Sequence, residues 1–77
     1  MNRILFFAGL QEKVGQESLE LDVTGKTVSE VKEYIGKQFQ LDRLNEAMTA
    51  VNEEYADNQQ KIGEGDVIAF IPPVSGG

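Results

Sequence analysis

The sequence predicts an α+β domain: a mixed sheet with one main helix packed across it. Three observations carry that expectation. The first and last strand candidates, Arg3–Ala8 and Val67–Ile71, are apolar in both alternation classes. Such strands belong inside a sheet, or half-buried with a partner on the second face. Between them lies one capped, amphipathic helix beginning at Thr27. The chain has 77 residues, which is enough for one domain and one small core.

Each element follows from local pattern. In Arg3–Ala8, Ile4 and Phe6 share one face, and Leu5 and Phe7 the other. Leu10 and Val14 then stand four apart, on one side of a helical turn that Gly15 is placed to end. Ser18–Val23 alternates, with Leu19, Leu21 and Val23 inward and Glu20 and Asp22 outward. Thr24-Gly25-Lys26 is a turn. Thr27 and Glu30 have the spacing of a capping box, in which each side chain satisfies a free backbone N–H of the other residue. Val28, Val31, Ile35 and Phe39 form the apolar stripe of the helix, with Lys32, Glu33 and Lys37 off it. Leu41–Met48 reads as a short helical or irregular segment with Leu44 and Met48 inward. Thr49–Val51 is a short strand, Asn52-Glu53-Glu54 a polar turn, and Tyr55 starts a return strand. Ile62 is an isolated apolar anchor before the turn Gly63-Glu64-Gly65-Asp66. Pro72-Pro73 stops the last strand, since proline cannot donate to a ladder. The two doubly apolar strands belong in the middle of the sheet, with the hairpin partner of the first at one side and the helix over one face. That order of elements is a β-grasp arrangement. The domain is expected over residues 1–71, with an extended tail over residues 72–77.

Composition excludes several function classes. The chain has no cysteine and no histidine. Disulfides are impossible, a zinc site lacks its preferred ligands, and the common nucleophile–base pairs are missing. No metal site is expected. A carrier, inhibitor or subunit fits better than a self-contained enzyme. Seven basic residues against thirteen acidic ones give a formal charge of −6. No basic stripe is present to neutralise phosphates, and an anionic membrane would repel the chain, so neither nucleic acid nor membrane is an expected partner. A basic protein surface suits it. No apolar run approaches a membrane span, and the opening Met1-Asn2-Arg3-Ile4 lacks the features of a signal peptide. Cytoplasmic residence is expected.

Most motif matches reduce to structure. Gly25-Lys26-Thr27 suggests a phosphate loop, but Glu20 stands where that motif needs its first glycine. Gly63-Glu64-Gly65 opens like a dinucleotide fingerprint, but Ile68 holds the third glycine position. Glu53, Glu54 and Asp57 form an acidic loop, which solvation explains. The ending Pro72-Pro73-Val74-Ser75-Gly76-Gly77 is different. Two prolines stiffen the exit from a central strand, and two glycines can enter a channel closed to larger residues. A free carboxylate at Gly77 is the only chemistry the tip offers. Six extended residues reach about 20 Å, enough to enter a neighbour's active site.

These residues resemble the ubiquitin-like sulfur carriers. Leu5–Ala8, reading LFFA, and Gly63–Gly77, reading GEGDVIAFIPPVSGG, are similar to the small subunit of molybdopterin synthase, the MoaD family. The resemblance spans essentially the whole chain; the Asn52-Glu53 turn departs from the Asn-Gly of many relatives. It implies that an ATP-dependent, E1-like enzyme adenylates the Gly77 carboxylate, and that a sulfur donor converts it to a thiocarboxylate. The tail, with Gly76 and Ser75 lining the path and Val74, Pro73 and Pro72 setting direction, then threads into the large subunit. That subunit holds the pterin precursor, and sulfur transfer forms the dithiolene. No cofactor is expected on this chain itself. A heterotetramer is implied, with two small subunits at opposite ends of a large-subunit dimer. The second face of the sheet, with Phe7, Ile71 and Tyr55, is the expected docking surface; core burial alone is the rival account. Alternatives are a thiamin-pathway sulfur carrier, a ubiquitin-like modifier joined through Gly77, and an interaction module with an inert tail.

Overall fold

The computed structural model describes residues 1–41 and 44–72. Five strands form one mixed sheet: β1 (Asn2–Phe6), β2 (Ser18–Leu21), β3 (Met48–Val51), β4 (Glu54–Tyr55) and β5 (Val67–Ile71). Helix α1 (Ala8–Val14) links β1 to β2, and α2 (Val28–Phe39) follows β2. A 3-10 turn, Leu44–Glu46, precedes β3. The strand order is β2-β1-β5-β3-β4. β1 and β5 are thus both interior and run parallel, with Ile4 beside Ile68 and Phe6 beside Phe70. The doubly apolar strands lie where their composition requires.

Pleating divides the sheet into two faces. Ile4, Phe6, Val51, Ile68 and Phe70 are buried beneath Val28, Val31 and Ile35 of α2. Phe6 packs edge-on against Phe39, ring centroids 6.3 Å apart, and lies 6.4 Å from Phe70. The capping box of α2 is present. Thr27 N–H donates to Glu30 Oε1 at 2.8 Å, and Glu30 N–H to Thr27 Oγ1 at 3.2 Å. The next free N–H groups of the helix are met by a loop: Val28 N–H donates to Gln60 O and Ser29 N–H to Asn58 O. The loop is pinned by Ile62, which is buried, and by its backbone pairing with Gly25 and Lys26.

Three expectations change. The first strand ends at Phe6, not Ala8, because Ala8 takes a left-handed φ of 51° and opens α1. β2 ends at Leu21; Val23 is buried beyond it, its N–H donating to the Asn2 side chain. Met48 is 46% exposed rather than inward. It is already part of β3, so strand alternation turns Thr49 and Val51 inward, and Leu44 and Ala47 fill the core ahead of it. Lys32, placed off the apolar stripe by its spacing, is buried all the same. The chain before β3 folds over it, and its ammonium donates to Ala47 O (2.9 Å), Asn58 Oδ1 (3.1 Å) and Asn45 O (3.5 Å). Burial pushes the Lys32 pKa below the ordinary lysine value.

Candidate functional site

Among the described residues, no helix lies over the face of the sheet away from α2. Strand alternation puts Leu5 of β1, Val67, Ala69 and Ile71 of β5, Met48 and Ala50 of β3, and Tyr55 of β4 on that side. Phe7 continues β1 in extended conformation (φ −121°, ψ 152°) and caps α1, which holds its ring at the margin of this face. Ladder pairs join the patch: Leu5 with Ala69, Ala50 with Ala69 and Tyr55, and Met48 with Ile71. At the β2 side, Arg3 and Glu20 form a cross-strand ion pair at 3.6 Å. An apolar centre with a charged rim is the anatomy of a protein-docking surface.

Of the predicted interface residues, Phe7 is 45% exposed, Tyr55 is 74% exposed and Ile71 is half-buried. All three belong to the uncovered side, and Phe7 and Tyr55 lie outside the buried core. Met48, Leu5, Val67 and Ala69 join them without having been singled out. Starting the third strand one residue earlier would have revealed Met48. Pro72 is half-buried directly after β5. Pro73, Val74, Ser75, Gly76 and Gly77 lie outside the described residues.

Two turns frame this face. Asn52 and Glu53 form the two-residue loop of the β3–β4 hairpin, with φ of 51° and 70°. Both central residues being left-handed marks a type I′ turn, which ordinarily selects Asn-Gly. Asn52 belongs there, and its side chain ties the turn to β5, accepting from Val67 N–H at 2.9 Å and donating to Asp66 Oδ1 at 2.8 Å. The other Asp66 oxygen accepts from Gly63 N–H at 2.8 Å. That backbone hydrogen bond, with the Asn52 amide second, lowers the Asp66 pKa below its ordinary value.

Among the described residues, no group of three or more His, Cys, Asp or Glu side chains could hold a metal. No described helix is long and apolar enough to cross a membrane.

The sheet order and the single long helix define a ubiquitin-like β-grasp protein. The solved structure of SAMP1, a small archaeal modifier protein from Haloferax volcanii, superposes with a TM-score of 0.83 at 25% identity, covering 99% of this chain and 98% of that one. The chain belongs to the ThiS family, which matches residues 4–77. Among full-length relatives, the molybdopterin synthase sulfur carrier subunit of Escherichia coli is 31% identical, with 100% of both chains covered. The subunit of the same name in Dictyostelium discoideum is 37% identical, covering 97% of this chain and 94% of its own.

Proposed function

We propose that this chain is the sulfur carrier subunit of a molybdopterin synthase, with residues 1–71 as the docking domain and 72–77 as the working tail. The full-length similarity to molybdopterin synthase sulfur carrier subunits carries the reading. The chemistry is group transfer at one carboxylate. Gly77 attacks the α-phosphorus of ATP in the activating enzyme, forming an acyl adenylate and releasing pyrophosphate. A sulfur nucleophile then displaces AMP, leaving a thiocarboxylate. In the large subunit, the thiocarboxylate sulfur bonds to a carbon of the pterin precursor, and water then cleaves the Gly77 acyl–sulfur bond, which leaves the sulfur on the precursor and regenerates the Gly77 carboxylate. The donors, acids and bases come from the partners, which accounts for a carrier with neither cysteine nor histidine. Phe7, Ile71 and Tyr55, with Met48, anchor the domain on the large subunit while the tail enters its active site.

The test is the intact mass of the chain after incubation with ATP, activating enzyme and a sulfur source. A gain equal to exchange of oxygen for sulfur, located at Gly77 and abolished by deleting that residue, is the expected result. An unchanged mass, with the activating enzyme active on another carrier, removes the sulfur mechanism. A second reading, a ubiquitin-like modifier, draws on the structural similarity to SAMP1. It requires isopeptide adducts of higher mass joined through Gly77 in cell extract.

A further inference from the structure

A groove of about 440 Å³ runs along the uncovered sheet face, lined by Leu5, Phe7, Val67 and Ala69 and bordered by Asn52 and Glu53. The ladder register orders it. Leu5 lies beside Ala69, Phe7 continues toward one end, and Val67 lies toward the other, where Asn52 N–H donates to Val67 O. The groove therefore has an apolar floor and one anionic end. Glu53 is exposed, and among the described residues its carboxylate has no hydrogen-bond or ion-pair partner. Its backbone is held at φ 70°, a left-handed conformation that disfavours a side chain and that glycine adopts readily.

We infer that this groove receives one long cationic side chain, lysine or arginine, from the large subunit, with its aliphatic stem over Val67 and Ala69 and its charged head on the Glu53 carboxylate. The inference rests on the sulfur-carrier reading and names the chemistry of the contact. Lysine and arginine are the side chains with an apolar body and a cationic tip, which is the pattern the groove presents. A chain of net charge −6 also favours a cationic partner surface. A glycine at position 53 would relax the turn but leave the groove without its charge. Glu53 is thus a specificity residue whose local conformational cost is opposed by a gain on docking.

The test is calorimetric titration of the full chain with the molybdopterin synthase large subunit of the same organism, at about 0.02 M and about 0.3 M ionic strength. Glu53→Gln is expected to weaken binding about fivefold at low salt, with the difference shrinking at high salt. Glu53→Gly is expected to weaken binding similarly while raising the thermal midpoint of the free chain, so that stability and affinity move in opposite directions. Glu33→Gln removes the same charge from α2, on the other side of the sheet, and should leave affinity within twofold, roughly the measurement's resolution. Wild-type affinity in Glu53→Gln, or an equal loss in Glu33→Gln, overturns the contact while leaving the sulfur-carrier reading intact. Failure of the wild-type chain to bind the large subunit overturns that reading and this inference with it.

Discussion

Asp66 joins three segments of the chain. Its carboxylate accepts from Gly63 N–H and from the Asn52 amide, and its backbone oxygen accepts from the side chain of Asn2. A carboxylate that accepts hydrogen bonds in the folded state has a lowered pKa there, so the unfolded state binds the proton more readily. The sign follows. The contribution is fully present above the ordinary value of 3.8 and is lost as pH falls through the lower folded pKa. Asp66→Asn should therefore lower the thermal midpoint at neutral pH and lose less on acidification below about pH 4 than the wild type does. Midpoints measured across that range check it, and parallel profiles would contradict it. The Gly63–Asp66 turn was legible from its glycines, but the role of Asp66 was not. Its partner Asn52 stands fourteen residues away along the chain, beyond the reach of any local pattern.

Among elements, α2 was the most completely legible. Its cap, stripe and length follow from short-range spacing, and short-range spacing is what a sequence displays. Thr27→Ala removes the acceptor for Glu30 N–H and should cost about 1 kcal/mol. Equilibrium denaturation should show this as a lower midpoint with an unchanged slope, since the surface exposed on unfolding stays nearly the same. The opposite case is Lys32, on the same helix. It lies off the apolar stripe, yet it is buried because the Asn45–Ala47 backbone and Asn58 supply oxygens around its ammonium. A buried amine with hydrogen-bond partners is tolerated where an unpartnered one is not. β3 shows the same limit more mildly. Its start at Met48 rather than Thr49 is decided by pairing with Ile71, and that pairing sends the methionine to the uncovered face.

At the scale of the molecule, the two faces of the sheet differ. Helix α2 covers one face, and the proposed large subunit covers the other. Phe7 separates the two roles, since it lies at the uncovered face and is 45% exposed in the free chain. Phe7→Ala is expected to weaken binding to the large subunit about tenfold or more, as truncating an aromatic anchor does. The thermal midpoint of the free domain should shift only slightly, because little of the ring's burial belongs to the core. Unchanged affinity, or a midpoint loss as large as the binding loss, would place Phe7 in the fold rather than the interface.

By itself the sequence determined the order of elements, the interior position of β1 and β5, the capped helix and the absence of self-contained thiol or imidazole chemistry. These depend on composition and on periodicities of two and three to four residues, which are local quantities. Only the tertiary structure decided which apolar residues stay uncovered, how deeply Lys32 is buried, and that Asn52 and Glu53 border the same groove as Leu5 and Phe7. Those facts depend on which distant segments meet. A strand apolar on both sides looks the same in sequence whether its second face meets a helix, another strand or a partner protein.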